Sequence, residues 1–169
     1  MVTNTAPERP RSPADQRSVY AEAVARLLPE HGDQRGALLP LLHALQAEFG
    51  YIDDALVPPV AEALNLSRAD VHGVVTFYHN FRRRPAGRHV VRLCRAESCQ
   101  ARGGATIERA AVDRLGVTMG ATSSDGRVSL EPVYCLGLCA TGPNALVDGV
   151  PVSRIDGAAL DRIVAQVNA

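Results

Sequence analysis

Apolar residues recur every three or four positions through the first half of the chain, which is the spacing of a buried helix face. The pattern predicts four helices, over residues 12 to about 28, 38–49, about 54–64, and from 67 onward. The predicted apolar faces are Tyr20, Val24, Leu27 and Leu28 in the first helix, Leu38, Leu41, Leu42, Leu45 and Phe49 in the second, and Val71, Val74, Val75 and Tyr78 in the fourth. The first half is therefore predicted to be a small helical bundle.

Proline, glycine and capping residues indicate where these helices begin and end. Ser12, followed by a proline, is typical of an N-cap, and residues 29–36 form a break. Gly50 follows the second helix, where glycine commonly ends a helix in the left-handed conformation. Ser67 with Asp70 three residues later predicts a capping box at the start of the fourth helix.

In the second half the pattern changes to short strands alternating with helices. Strands are predicted at residues 89–93, 128–133, 145–147 and 150–152, and helices at residues 105–115 and 157–167. Asp148 and Gly149, between the last two strands, are a typical two-residue hairpin turn. The order β-α-β-β-β-α predicts a small sheet with helices packed on it.

These patterns divide the chain into four segments. Residues 1–11 are predicted to be a disordered tail, 12–81 a helical domain, 82–88 an arginine-rich linker and 89–169 a sheet-containing domain. The predicted fold class is α+β, with an N-terminal helical bundle followed by the sheet-containing domain.

Composition restricts the function classes. Lys+Arg and Asp+Glu both number 18, so the net charge does not predict nucleic-acid binding. The chain has no run of about 18 apolar residues, so no membrane insertion is predicted, and residues 1–11 do not resemble a signal peptide. The expected location is cytoplasmic, where four cysteines more often bind metal or carry redox chemistry than form disulfides.

All four cysteines fall in two close pairs, Cys94-x4-Cys99 and Cys135-x3-Cys139, and each pair follows a predicted strand. Loops that leave strands can aim several side chains at one point. Four thiolates suit either one tetrahedral zinc or an iron–sulfur cluster with two thiolates on each iron. Zinc ribbons favour x2 spacings, so the spacing favours a [2Fe-2S] cluster and leaves zinc, disulfides and buried free thiols as alternatives.

Residues beside the cysteines indicate how such a site would be tuned. Reduction adds negative charge to an already anionic site, and hydrogen bonds to sulfur or nearby cations raise its potential. Arg95 and Arg102 are candidate cations, and Gly137 and Gly142 would let backbone N–H groups approach the sulfurs.

No catalytic arrangement accompanies the cysteines in the sequence. The histidines are His31, His43, His72, His79 and His89. They lack metal-ligand spacing, although His79 and His89 stay open as alternative cluster ligands. Gly103 and Gly104 lack the G-x-G-x-x-G context of a dinucleotide site, and the aromatic stretch 77–81 favours core packing and partner docking over nucleotide stacking. We therefore predict no catalytic residues in this chain.

Four segments resemble one known family. Residues 94–99 (CRAESC) and 135–143 (CLGLCATGP) resemble the thioredoxin-like [2Fe-2S] ferredoxin subunits of NADH dehydrogenases, and so do residues 42–52 (LHALQAEFGYI) and 71–81 (VHGVVTFYHNF). That group includes the small peripheral subunit of respiratory complex I, its counterpart in bidirectional hydrogenases and the gamma subunit of NAD-dependent molybdenum formate dehydrogenases. The resemblance covers about residues 15–168.

The resemblance implies a thioredoxin-like fold for residues 89–169 and one [2Fe-2S] cluster ligated by Cys94, Cys99, Cys135 and Cys139. It also implies a partner, a flavoprotein subunit that carries FMN and binds NAD. This chain would then be an electron-transfer subunit of an NAD-linked oxidoreductase and would not be catalytic alone.

Within the family, residues 93–104 (LCRAESCQARGG) and 134–140 (YCLGLCA) look closest to the formate dehydrogenase gamma type. The main functional prediction is therefore the gamma subunit of a molybdenum NAD-dependent formate dehydrogenase. The alternatives are the equivalent subunit of complex I or of a bidirectional hydrogenase, a structural zinc-binding adaptor with four thiolate ligands, and a free-standing ferredoxin-like carrier.

Overall fold

Four α-helices build the first half of the chain in the computed structural model, which describes residues 13–32 and 35–169. They are α1 (Pro13–His31), α2 (Leu38–Phe49), α3 (Val57–Ala63) and α4 (Arg68–Phe77), and a 3-10 turn (Asp54–Leu56) precedes α3. The four predicted helices are therefore present. The predicted tail at residues 1–11 and the predicted N-cap at Ser12 lie outside the described residues.

The apolar faces of these helices meet in one core. Tyr20 and Val24 of α1 are buried together with leucines of α2 and valines of α4. The buried members are Tyr20, Ala23, Val24, Leu41, Leu42, Leu45, Ile52, Leu56, Val57, Val60, Ala61, Val71, Val75 and Phe81. Burial of one leucine or valine side chain contributes roughly 1.5–3 kcal/mol relative to exposure. Helices this short depend on such packing for their stability.

The end of α1 differs from the prediction, whereas the end of α2 agrees with it. α1 continues to His31, through the proline at the start of the break predicted at residues 29–36. A proline removes its own N–H, but the last turn still closes because Gly32 N–H donates to Leu28 O at 2.6 Å. Gly50 ends α2 in the expected left-handed conformation, with φ 79°.

α4 begins as predicted and ends just before Tyr78, the last residue of its predicted apolar face. Ser67 Oγ accepts a hydrogen bond from Asp70 N–H at 3.0 Å, and the Asp70 carboxylate accepts one from Ser67 N–H at 3.2 Å. This capping box satisfies two N–H groups that have no partner within the helix. The helix ends at Phe77, so Tyr78 is extended and 43% exposed and does not belong to the buried helix face.

The second half of the chain folds around a five-stranded mixed sheet. Its strands are β1 (His89–Cys94), β2 (Ala121–Thr122), β3 (Val128–Val133), β4 (Ala145–Val147) and β5 (Val150–Val152), in the order β2-β3-β1-β4-β5. Its helices are α5 (Glu97–Ala101), α6 (Gly104–Leu115) and α7 (Gly157–Asn168). β1 and β3 are parallel neighbours, and the other neighbouring strands are antiparallel. The predicted sheet with packed helices is therefore present.

Sheet and helices enclose a second core, and the hairpin has the predicted turn. The buried core members include Val91, Leu93, Ala111, Leu115, Val128, Leu130, Ala145, Val147, Leu160, Ile163 and Val167. Asp148 and Gly149 have φ of 51° and 82°, the positive values that a type I′ turn requires. The five-residue α5 and the two-residue β2 are absent from the prediction, because segments this short show no periodicity.

The chain divides into two compact units between Pro85 and Ala86. Near the end of the first unit, Arg82 O accepts a hydrogen bond from Ile52 N–H at 2.7 Å. The assignment of residues 82–88 as a linker stays a prediction. Within the described ranges, no helix is both long and apolar enough to cross a membrane.

Replacing Ser67 by Ala should lower the free energy of unfolding by about 1 kcal/mol, because the substitution removes the acceptor for Asp70 N–H. Urea denaturation followed by far-UV circular dichroism measures the change. Ser18→Ala is the matched control, since Ser18 is exposed within α1, where alanine is the better helix former. Equal losses in the two variants would contradict the capping role of Ser67.

Candidate metal centre

Parallel pairing of β1 with β3 brings the two cysteine segments to one edge of the sheet, the edge at which the carboxyl ends of both strands lie. Cys94 is the last residue of β1 and is in register with Val133, the last residue of β3. Arg95 N–H continues the pairing by donating to Val133 O at 2.8 Å. Because parallel neighbours end at the same edge, Cys135, two residues beyond Val133, leaves the sheet beside Cys94.

The second cysteine pair has the spacing of two ligands on one metal. Cys135 Sγ and Cys139 Sγ are 3.7 Å apart, and both residues are exposed. Two sulfurs that lie about 2.3 Å from one tetrahedral metal stand roughly 3.8 Å from each other. A disulfide requires a separation of about 2.05 Å. The separation is therefore compatible with two ligands on one metal, and the pair is not disulfide-bonded.

The first cysteine pair is buried, with Cys94 5% and Cys99 1% exposed. Burial raises the pKa of the Cys94 thiol, but the Ala96 N–H, the Cys99 thiol and N–H groups of the second cysteine loop outweigh it, so the pKa is lowered. Burial raises the pKa of Cys99, and its interaction with Cys94 raises it further. The two thiols therefore act on each other directly.

Backbone N–H groups of the loop that carries Cys135 and Cys139 face the sulfur of Cys94. The N–H groups of Cys135 and Leu136 both lower the pKa of Cys94. Cys135 has φ 68°, in the left-handed region, which costs a non-glycine residue about 1–3 kcal/mol. A left-handed residue lets successive N–H groups point to one side and form a concave anion site. The left-handed conformation of Cys135 therefore accompanies two N–H donors directed at the sulfur of Cys94.

Asn144 belongs to the site but is absent from the sequence prediction. Its side chain is 2% exposed and donates to Cys99 Sγ at 3.6 Å and to Leu138 O at 2.7 Å. The backbone carbonyl of Asn144 accepts a hydrogen bond from Cys94 N–H at 3.0 Å. One buried asparagine thus contacts both cysteine segments. In the sequence it is only a polar residue before a buried strand, which is too common a pattern to identify it.

Two glycines, Gly104 and Gly142, allow the backbone to approach Cys99 closely. A Cβ on Gly142 would lie 3.3 Å from Cys99 Sγ and 3.2 Å from Arg102 Cδ. A Cβ on Gly104 would come within 2.7 Å of Cys99 O, closer than real Cβ atoms approach. Gly137 has φ 75°. N–H groups of Cys135 and Leu136, beside Gly137, act on Cys94, and Gly142 leaves room for close approach to Cys99. The role expected of the two glycines, to let N–H groups approach the sulfurs, is compatible with these contacts and stays a prediction.

The two candidate cations have different surroundings. Arg95 Nε lies 3.0 Å from Glu108 Oε2, so its charge is compensated within the unit. Arg102 is exposed, its side-chain stem passes Gly142, and it forms no ion pair with any residue that the structure describes. Arg102 is therefore the uncompensated cation of the two.

Two of the histidines have side-chain partners, one in each unit. His89 Nδ1 is 2.8 Å from Asp148 Oδ2, at the opposite end of β1 from Cys94, so His89 is wrong as an alternative cluster ligand. His43 stacks on Phe81, with ring centroids 4.8 Å apart. Within residues 13–32 and 35–169, no group of three or more His, Cys, Asp or Glu side chains is gathered around one point for a single metal ion.

The donor chemistry fits a [2Fe-2S] cluster. Such a cluster takes four thiolates, two on each iron, and the sheet presents two cysteine pairs at one edge. Backbone N–H groups and the Asn144 amide face these sulfurs, as suits ligands that carry negative charge. The arrangement can therefore hold a redox group and set its potential.

Known proteins with similar sequences agree with this chemistry. The family model for the thioredoxin-like [2Fe-2S] ferredoxin matches residues 24–168. The E subunit of NADH-quinone oxidoreductase from Escherichia coli (strain K12) is 36% identical over 127 residues, which cover 75% of this chain and 76% of that protein. The Mycobacterium bovis protein of the same name is 36% identical over 140 residues, 82% of this chain and 56% of the relative.

Solved structures also contain this fold. An NAD+-reducing [NiFe]-hydrogenase in the air-oxidized state superposes with a TM-score of 0.67 over 78% of this chain, at 23% sequence identity. This chain spans only 22% of that hydrogenase chain, so the likeness concerns the fold alone. The family match, by contrast, covers most of the sequence. With its cysteine geometry and its close sequence relatives, the chain belongs to the thioredoxin-like [2Fe-2S] ferredoxin family.

Proposed function

We propose that this chain is the electron-transfer subunit of an NAD-linked oxidoreductase, with one [2Fe-2S] cluster on Cys94, Cys99, Cys135 and Cys139. The cofactor itself follows from the family. The assignment of the four ligands is carried by one observation, the β1–β3 register that brings both cysteine pairs to one edge of the sheet. The spacing of 3.7 Å within the second pair supports it.

The chain's own residues would hold and tune the group without taking part in bond-making chemistry. A bound [2Fe-2S] cluster supplies one-electron oxidation and reduction. Burial of Cys94 and Cys99 shields two of the sulfurs from water, and Asn144 directs an amide donor at Cys99. Hydrogen bonds to sulfur favour the more negative, reduced state. The chain is accordingly proposed to be non-catalytic on its own.

Among complexes, the relatives favour the NADH dehydrogenase type over formate dehydrogenase. Proteins that bear the name of the E subunit of NADH-quinone oxidoreductase match three quarters or more of this chain. The formate dehydrogenase gamma assignment, which depends on residues 93–104 and 134–140, stays a prediction. In either complex the proposed partner is a flavoprotein subunit that carries FMN and binds NAD. A cytoplasmic location likewise remains a prediction.

The helical unit is proposed to dock on this flavoprotein partner. Phe77 is 72% exposed and stacks edge-on against the half-exposed Tyr78 at 5.1 Å, whereas Phe81 is buried in the core. Within the aromatic stretch, Phe81 therefore packs in the core, whereas Phe77 and Tyr78 lie on the surface. Exposed aromatic side chains of this kind are enriched in protein interfaces.

A structural zinc-binding adaptor is the less well supported alternative. Its ligands would be the same four thiolates, but zinc ribbons favour x2 spacings, and the family to which the chain belongs is a [2Fe-2S] family. Nothing in the fold favours a free-standing carrier, since a carrier alone does not require the helical unit.

Anaerobically purified protein should contain about two iron and two acid-labile sulfide per chain, with a visible spectrum that dithionite bleaches. Replacing any of the four cysteines by serine should abolish or destabilise the cluster, because each thiolate is a proposed ligand. Metal and sulfide analysis of the wild type and the four variants measures both expectations.

Ser98→Ala is the control for the cysteine variants, since Ser98 Oγ donates to Cys139 O at 3.1 Å but supplies no ligand. About one zinc and no sulfide in the wild type would overturn the cluster and support the adaptor. A serine variant with full iron and sulfide would instead remove only that cysteine from the ligand set.

Asn144→Leu should lower the midpoint potential of the cluster, because it removes the amide donor to Cys99 Sγ. Loss of a hydrogen bond to a charged group corresponds to roughly a tenfold change in the reduction equilibrium, or about 60 mV for one electron. A redox titration followed by electron paramagnetic resonance measures the potential.

Thr141→Val is the matched control for Asn144→Leu. Thr141 Oγ1 donates to Leu138 O at 3.1 Å and lies 3.4 Å from Asn144 Oδ1, so the variant disturbs the same network without removing a donor to sulfur. An unchanged potential in Asn144→Leu, or an equal shift in both variants, would show that the amide does not tune the cluster.

A further inference from the structure

The segment at residues 132–147, which contains the two exposed cysteines, has no charged residue. Between Glu131 and Asp148 the sequence has no Asp, Glu, Lys or Arg, although these residues make up 21% of the chain. Tyr134 is 70% exposed and Leu138 37% exposed, and each is a sequence neighbour of an exposed cysteine. Contiguous exposed apolar surface on a soluble unit marks an interaction site.

We propose that Tyr134, Cys135, Leu138 and Cys139 form a docking face that is covered by the flavoprotein subunit. The partner surface that fits this face is uncharged and largely apolar at its centre, with a carboxylate at its edge. The inference rests on the proposed function, from which it takes the identity of the partner, and adds the surface through which the two subunits meet.

Access to the sulfurs determines the side from which a redox partner approaches. Cys94 and Cys99 are buried, so the sulfurs of Cys135 and Cys139 are the ones open to the surface. Electron exchange weakens steeply as two centres separate, so a partner that exchanges electrons with this site has to lie close to the exposed pair. The docking face therefore coincides with the shortest route to the cluster ligands.

The chemistry of the docking face specifies the centre of the partner surface. Interface cores are depleted of charged residues and enriched in tyrosine. This segment has no charged residue, and its one tyrosine, Tyr134, is exposed. A charged partner group placed against the face would lose its hydration without gaining a counter-charge. Tyr134 can bury its ring while its hydroxyl keeps a polar contact at the margin. An uncharged, apolar partner surface is thus the complementary one.

Arg102 specifies the edge of the partner surface. Its stem passes Gly142 at the end of the cysteine loop, and its guanidinium has no ion-pair partner among the residues that the structure describes. Arginine at the polar rim of an interface pairs well with a carboxylate and speeds association more than it strengthens the complex. We therefore assign a partner carboxylate to this position.

The test measures binding of the full-length, cluster-loaded chain to the purified FMN-containing, NADH-oxidising subunit of its complex, by biolayer interferometry. Tyr134→Asp and Leu138→Asp should each weaken binding at least about 30-fold, as expected for a buried interface anchor. Val150→Asp is the matched control, because Val150 is 63% exposed, carries the same new charge and lies at the hairpin turn, the other end of the sheet.

Iron and sulfide content of every variant separates loss of docking from loss of the cluster. Wild-type affinity in both Tyr134→Asp and Leu138→Asp, with the cluster present, overturns the docking face and leaves the proposed function intact. Equal weakening by Val150→Asp also overturns it, since the effect is then one of charge alone. A cluster-loaded wild type that does not bind the flavoprotein overturns the proposed partner and with it this inference.

Arg102→Gln tests the edge separately. The variant should associate more slowly at low ionic strength, and the difference should disappear at high salt, where exposed charges are screened. An association rate equal to that of the wild type at both salt concentrations overturns the assignment of a carboxylate opposite Arg102.

Discussion

The parallel pairing of β1 with β3 is the constraint on which the site depends. Cys94 and Val133 are in register at the ends of these strands, so two loops that are distant in sequence start from the same edge of the sheet. β4 then returns antiparallel to β1 and sets Asn144 beside the same edge. A slip of one residue in this register would turn the cysteine side chains away from one another. The hydrophobic core fixes the register, and the register positions the proposed ligands.

Much of the fold was predictable because its signals are local. Helical periodicity identified α2, the Ser67–Asp70 pair identified the start of α4, and Asp148–Gly149 identified the hairpin. The proximity of the two cysteine segments was also predictable, since each pair follows a strand.

The features that escaped prediction depend on tertiary contacts or on very short segments. α5 has five residues and shows no period, and α1 extends beyond its proline because a later N–H closes the turn. The role of Asn144 exists only once β4 lies beside β1. Arg95, adjacent to Cys94 in sequence, pairs instead with Glu108 on α6, a partner that sequence proximity does not reveal.

The turn at Ser123–Gly126 lies before β3, whereas the cysteine loop follows it. The six residues of β3 separate these two ends by about 20 Å. A peptide tag, a fluorescent domain or a natural insertion could therefore be accommodated in this turn while the ligand loops keep their lengths. The stretch between Cys99 and Cys135 can therefore lengthen at this turn, at the far end of β3 from the cysteine loop.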